Sequence, residues 1–361
     1  MLATAIITSS GEPIYTLAQS ETHNSGYSSS NPYISGIGTD IINNPSLINR
    51  AKKKVITRKL IRELIDVAKE KGDAEMINSL WNTYYCQSSV IITDNRLFSR
   101  YCKNRFCSVC TSIRKAEIIN KYYPEISTWE DPHFVTLTVK SCKADKLDRW
   151  VWGMKRAFEL IHNRCKSRYR RGKGIKIMGI KSLECNFNPK AKTYNPHFHI
   201  IVPNKATAQL LKKEWVKQWR PKNKHEYRYK YTNPGAQDIR PVKDLERDLV
   251  ETIKYGSKIF TDPDMKKRGN RKKPPMIYAR AFYNILSAFR HERLFDRFGF
   301  NLPTNMPYEC NVRMVEEYEE WIFPHSATDW VNPNTGETLT GYITPHELSY
   351  LLNERIDTQI K

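Results

Sequence analysis

The chain has 361 residues, enough for one large domain or two to three modest ones, with 59 Lys and Arg against 38 Asp and Glu. The net charge of +21 attracts polyanions and supports salt-sensitive phosphate contacts, although a ribosome-associated or solubility-driven basic surface has the same charge. No apolar run is long enough to span a membrane, Met1–Ser10 lacks the cationic start of a signal peptide, and eight cysteines, four of them clustered, fit a reducing cytoplasm better than a disulfide framework.

Residues 1–45 are rich in Ser, Thr, Asn and Gly without a sustained period, which predicts a mobile arm. A helical segment follows over 46–80, where Leu60-Ile-Arg-Glu-Leu-Ile-Asp-Val-Ala-Lys69 spaces apolar residues by three and four. Residues 81–125 hold the cysteine cluster. Cys107 and Cys110 have the spacing of half a zinc knuckle, Cys102 lies five residues earlier, and Cys86 lies sixteen before that. Four thiolates complete a closed tetrahedral zinc site of the structural kind. Free buried thiols are the alternative, and Cys86 is the ligand least constrained by spacing.

The stretch 130–265 reads strand, helix, strand, turn, strand and two helical segments, an α+β pattern. Phe134-Val-Thr-Leu-Thr-Val139 alternates as a half-buried strand does. A second strand over 175–187 puts Ser182, Glu184 and Asn186 on one face, with Leu183, Cys185 and Phe187 on the other. Asn188–Asn195 has turn chemistry. In the third strand, His197-Phe-His-Ile-Ile-Val202, both histidines project to one side. A symmetric hairpin pairing Phe187 with Pro196 sets Glu184 opposite His199 and Asn186 opposite His197. His197, His199 and Glu184 then converge on one divalent ion with positions open for a scissile phosphate. An ordinary Glu–His contact on a solvent-facing strand is the simpler alternative.

Asp248–Phe260 fits a helix with Leu249, Ile253 and Phe260 in one stripe and Glu251, Tyr255 and Lys258 in another. A tyrosine attacking phosphorus needs a metal and cations to hold charge, and a carboxylate one turn earlier would steer a water. An amphipathic helix with a Glu-to-Lys surface pair has the same spacing. Lys266-Lys-Arg-Gly-Asn-Arg-Lys-Lys-Pro-Pro is a basic breaker, and the region 276–361 opens with a helix from Met276 to about Arg297.

Together these pieces resemble the rolling-circle initiators of the HUH endonuclease superfamily, specifically the plasmid Rep branch with a single catalytic tyrosine. Phe134-Val-Thr-Leu-Thr138 is similar to the family's first motif and Asn195-Pro-His-Phe-His-Ile-Ile-Val202 to its metal motif. Glu251-Thr-Ile-Lys-Tyr-Gly-Ser-Lys258 resembles the tyrosine motif. Cys102-Lys-Asn-Arg-Phe-Cys-Ser-Val-Cys110 resembles the cysteine segment, with Ser108 where Pro is usual. The resemblance implies a ferredoxin-like antiparallel sheet over 130–265, a small zinc segment and helical additions. It also implies Mg or Mn at the histidines, and Tyr255, Glu251 and Lys258 acting on single- and double-stranded origin DNA in the cytoplasm. A host helicase is the further partner it raises. A relaxase or single-tyrosine transposase shares this chemistry. A non-catalytic zinc-dependent nucleic-acid-binding protein and a His-based nucleotide hydrolase are readings of other classes.

Overall fold

A computed structural model of the chain describes residues 3–7, 13–15, 45–93, 96–223, 225–252, 278–302, 310–314, 318–346 and 348–349. The architecture is α+β and falls into two units, one drawn from residues within 1–116 and 304–356, the other from within 117–259 and 278–303. No described helix is long and apolar enough to cross a membrane.

The first unit contains helices α1 (Pro45–Glu70) and α2 (Ala74–Tyr84), the start of α3 (Ser108–Ile126), and a six-stranded sheet. Its strands are β1 (Ala3–Ile7), β2 (Pro13–Tyr15), β3 (Ser89–Thr93), β4 (Arg96–Ser99), β10 (Cys310–Met314) and β11 (Glu319–Ile322), in the order β10-β1-β2-β4-β3-β11. Only β1 and β10 pair in parallel among these. Leu47 and Ala51 of α1 pack with Val90, Leu97, Trp321, Phe323 and Trp330. Burying side chains of this size contributes about 1.5–3 kcal/mol each. Two strands therefore lie within residues 1–45, where composition alone suggested only an arm: Ala3-Thr-Ala-Ile-Ile7 has strand propensity, but its partner is more than 300 residues away.

The second unit is built on β5 (His133–Thr138), α4 (Leu147–Arg170), β6 (Gly179–Asn188), β7 (Thr193–Val202), α5 (Lys205–Gln218), β8 (Asp238–Pro241), α6 (Leu245–Thr252), α7 (Ala279–Ala288) and β9 (Phe295–Phe298). Its five-stranded sheet runs β8-β5-β7-β6-β9 with every neighbour antiparallel. On one face, Val151, Met154, Phe158 and Ile161 of α4 recur at helical spacing and are buried. Phe158 meets Phe198 at 5.5 Å, and Phe198 meets the buried Trp215 of α5 at 5.8 Å. Glu214 of α5 holds Arg164 and Arg168 of α4 at 3.1 and 2.8 Å, tying the two helices together. Gly179 opens β6 because a Cβ there would stand 2.4 Å from the Ile201 carbonyl.

Two sequence expectations need correction. The hairpin turn is only Pro189–Lys192, so Phe187 pairs with Tyr194, Glu184 with His197, and Ser182 with His199. The register is shifted by two from that expected, because Thr193 and Tyr194 continue the strand instead of the turn. An even shift keeps every side chain on its face. The helix expected from Met276 to Arg297 is confined, among described residues, to Ala279–Ala288. His291 takes φ +61°, which breaks the helix, and Phe295-Asp-Arg-Phe298 joins the sheet as β9. Residues 295–298 thus belong with the sheet rather than with a separate C-terminal region.

Candidate metal centres

Strand alternation puts Phe134, Thr136 and Thr138 of β5 on the sheet face opposite α4 and α5, with Ser182 and Glu184 of β6 and Asn195, His197, His199 and Ile201 of β7. One end of this face is polar. Glu184 Oε2 lies 4.0 Å from His197 Nε2 and 3.7 Å from His199 Nε2, and the two imidazoles are 4.7 Å apart between centroids. All three side chains are largely buried, at 10, 7 and 13 % exposure in that order. Their ligand atoms fall within 4.8 Å of one another. These separations exceed a hydrogen bond yet suit three donors meeting a single divalent ion at about 2.0–2.2 Å.

The surroundings fix the histidine orientation. His197 Nδ1 lies 3.0 Å from the Asn195 carbonyl, to which only a protonated nitrogen donates, so Nε2 keeps the lone pair that faces Glu184. Thr136 Oγ1 lies 3.4 Å from His199 Nδ1. Thr138 Oγ1 donates to the Asn195 side chain at 2.8 Å, steadying the strand two residues before His197. The sequence singled out the three ligands but not these supports. Asn195, on the same strand face as the histidines, carried the only available signal.

The other end of the face is apolar. Leu249 of α6 is fully buried among Phe134, Ile180, Ile201, Tyr122 and Ile126, as its place on the apolar stripe predicted. Asp248, beside it, accepts two hydrogen bonds from the Arg240 guanidinium of β8, at 2.9 and 2.5 Å. Arg240 also lies 4.3 Å above the Phe134 ring, and Phe134 is 5.2 Å from His199. Hydrogen bonding to Asp248 raises the Arg240 pKa, and the nearby charges of Asp238 and Glu251 add to this. Glu251 is thus on a helix anchored to the sheet that carries Glu184, His197 and His199. Arg240 and Asp248, eight residues apart across a strand–helix connection, have no pattern that sequence reading detects. Tyr255 and Lys258 lie outside the described residues, as do Ile253 and Phe260.

In the other unit, Cys86 follows α2, Cys102 and Cys107 lie in the connection from β4 to α3, and Cys110 is in the first turn of α3. Cys86 Sγ is 3.5 Å and Cys102 Sγ 3.7 Å from Cys110 Sγ, and all four sulfurs fall within 4.8 Å of one another. A disulfide would require about 2.05 Å, whereas tetrahedral zinc with Zn–S near 2.3 Å separates sulfurs by about 3.8 Å. The Cys102, Asn104 and Cys110 amides donate to sulfur at 3.4–3.5 Å. Hydrogen bonds from Cys107 and its neighbours hold the Cys102 thiol well below the ordinary cysteine range. Lys54 of α1, 2 % exposed, donates to the Cys86 carbonyl, and burial together with Arg58 lowers its pKa to about 7. A negatively charged tetrathiolate would favour the charged ammonium there. All four cysteines singled out in the sequence are therefore together.

A cleft of about 900 Å³ beside β9 shares no lining residue with either cluster and is lined by Trp152, Lys155, Arg156, Arg293 and Arg297 among others. Glu292 and Asp296 pair with Lys155 and Arg293 and offset much of its charge, so the cleft is a weaker chemical candidate than the carboxylate–histidine set.

The family model described as Replication protein matches residues 96–286, more than half of the chain, and includes both candidate metal clusters except Cys86. The chain belongs to that replication protein family. Protein rep of Streptococcus pneumoniae serotype 2 (strain D39 / NCTC 7466) is 26 % identical over 225 residues, covering 55 % of this chain and 65 % of that protein. Protein rep of Staphylococcus aureus is 28 % identical over 169 residues, 44 % of this chain and 69 % of that protein. Protein rep of a Bacillus species is 26 % identical over 167 residues, 42 % of this chain and 50 % of that protein. The chain thus spans a little under two thirds of the Streptococcus pneumoniae protein. No solved structure matches.

Proposed function

We propose that this protein is a rolling-circle plasmid initiator that nicks single-stranded origin DNA through Tyr255. The observation that carries the reading is the convergence of Glu184, His197 and His199 on one sheet face, beside a helix whose continuation in sequence contains Tyr255. The element order β5-α4-β6-β7-α5-β8 with strand order β8-β5-β7-β6 supports a ferredoxin-like core for the HUH site. Membership in the replication protein family supports origin DNA as partner and the cytoplasm as location.

In this reading Glu184, His197 and His199 hold Mg or Mn, which when bound supplies Lewis-acid polarisation of the scissile phosphate. The Tyr255 oxygen attacks phosphorus, the bond to the 3′ oxygen breaks, and that oxygen takes up a proton from solvent and leaves as a hydroxyl. The phenolic proton goes to solvent or a neighbouring base, and the 5′ phosphate stays on tyrosine. Lys258 holds charge at the phosphate, while Glu251 directs water for the later cleavage that ends a round. Cys86, Cys102, Cys107 and Cys110 hold structural zinc. The test is incubation of the protein with an origin oligonucleotide in Mn, followed by denaturing electrophoresis and mapping of the linked residue. An SDS-resistant adduct at Tyr255 is expected. A protein that binds DNA but never forms an adduct is a binding module, and the reading fails.

A further inference from the structure

Between α5 and β8 the chain reads Arg220-Pro-Lys-Asn-Lys-His-Glu-Tyr-Arg-Tyr-Lys-Tyr231, five Lys and Arg to one acid, with tyrosines at every second position from 227. Tyr227 is 72 % exposed, so its ring contributes little to any core. It meets Tyr229 edge-on at 5.9 Å, Arg228 lies 5.5 Å from the Tyr229 ring, and Lys230 lies 5.5 Å from that of Tyr231. Tyr229 and Tyr231 are half-buried, so the exposed Tyr227 ring presents the face for a base while the interleaved cations supply charge for phosphates.

The row is fixed in place. The Lys140 amide donates to the Tyr231 carbonyl at 2.7 Å, and the buried Thr232 hydroxyl donates to the Thr138 carbonyl at 2.8 Å. The buried Gln237 side chain accepts from the Thr138 amide at 2.8 Å and donates to the Thr232 hydroxyl at 2.7 Å. Thr138 is the strand partner of His197. The aromatic segment is therefore pinned to the end of β5, one strand from the candidate metal ligands. Such anchoring lowers the ordering cost of binding a flexible strand.

We infer that residues 227–231 form a subsite for single-stranded DNA flanking the cleaved phosphate, with Tyr227 stacking on an unpaired base and Arg228 and Lys230 holding the backbone. This rests on the nicking reading for where the strand lies relative to the site, and it commits to a single strand because a duplex hides its base faces from a side-chain ring. The test uses the full chain without added divalent ion, so that no cleavage intrudes, and reads fluorescence anisotropy of labelled oligothymidylate and of a blunt duplex. Tyr227→Ala should weaken oligothymidylate binding about 5- to 150-fold, the value of one base–aromatic stack, with duplex binding unchanged. Tyr227→Phe should bind as the parent does, since the ring and not the hydroxyl stacks. Arg228→Ala should reduce the salt dependence by about 0.7 of a logarithmic slope unit, as one lost phosphate contact does. Unchanged oligothymidylate affinity in Tyr227→Ala overturns the subsite, as does an equal loss for single strand and duplex. If the parent forms no adduct yet Tyr227→Ala loses single-strand affinity, the nicking reading falls and the subsite stands. If adducts form and Tyr227→Ala binds normally, the subsite alone falls.

Discussion

Replacing Arg240 by Ala tests how α6 is held over the sheet face that carries Glu184, His197 and His199. Arg240 places two N–H donors on Asp248, whose side chain is 6 % exposed, while Arg240 itself is 41 % exposed. Truncation leaves a nearly buried carboxylate without its guanidinium. Fully buried pairs broken in this way cost about 3–5 kcal/mol, and hydrogen bonds to charged groups about 1.5–3 kcal/mol. The exposure of Arg240 lets water replace part of what is lost, so we expect about 2–3 kcal/mol. For a unit of about 150–250 residues each kcal/mol lowers Tm by about 2–4 °C, so the unit should melt about 4–12 °C early.

Scanning calorimetry of the full chain measures the shift, and a double-mutant cycle assigns it to the pair. Asp248→Asn removes the orphaned charge, so Arg240→Ala/Asp248→Asn should lose less than the two single changes added together, by about 1 kcal/mol or more. Arg240→Lys keeps a charge but not the two-pronged geometry and should recover only part of the loss. Adduct formation should fall in Arg240→Ala even below its melting temperature, because α6 leads into Tyr255. A variant that melts within about 1 °C of the parent, or a cycle without coupling, would refute the clasp.

His197→Ala and His199→Ala should each abolish metal-dependent cleavage while leaving duplex binding largely intact, and unchanged nicking in either removes the metal assignment. Purified protein should carry about one zinc per chain through its thiolates, and a Cys107→Ser/Cys110→Ser variant should carry less and fold poorly; equal zinc by elemental analysis counts against the site. Tyr255→Phe should lose nicking and adduct altogether, whereas Glu251→Gln should still nick but terminate about 10²–10⁴-fold more slowly, scored by release of circles from a template with two origins. Normal termination in Glu251→Gln reduces that carboxylate to a partner of its positive neighbours. Affinity for single-stranded DNA should fall steeply with salt in a filter-binding titration, as released counterions require, and a flat dependence would argue against phosphate recognition.

What the sequence made legible was periodic or closely spaced. Alternation put His197 and His199 on one strand face, a hairpin pairing of the right parity added Glu184 to the same sheet face, and the cysteine spacing alone grouped Cys102, Cys107 and Cys110. The hairpin register was not legible, because Thr193 and Tyr194 follow turn-forming residues and look like part of the turn. In the structure Tyr194 is 1 % exposed, bridges to Cys142 and accepts a hydrogen bond from Asn284, and these distant contacts make it a strand residue. The six-stranded sheet was hidden for a similar reason. Its β1–β10 and β3–β11 pairs join segments more than 200 residues apart, which no local period reports. Burial of Leu249 could be read from its stripe, but the Arg240–Asp248 clasp depends on tertiary placement.

The two-residue register difference also shows what the site tolerates. On β7 the same alternation sends Phe198 and Ile200 into the core beneath α4 and α5 and sends His197 and His199 to the opposite face. A slip of one residue would turn both imidazoles into the apolar core beneath α4 and α5 and Phe198 out of it, so the core of the unit enforces the face of the candidate ligands. A slip of two would preserve the faces and alter only which histidine stands directly across from Glu184. The core discriminates poorly against that alternative, and contacts particular to one register must decide it. Phe187 meeting Tyr194 at 5.0 Å, and Gly179 standing where any Cβ would strike the Ile201 carbonyl, both depend on the observed pairing of β6 with β7. Specificity at the candidate metal site therefore comes from hydrophobic packing for the choice of face and from these cross-strand contacts for the choice of partner.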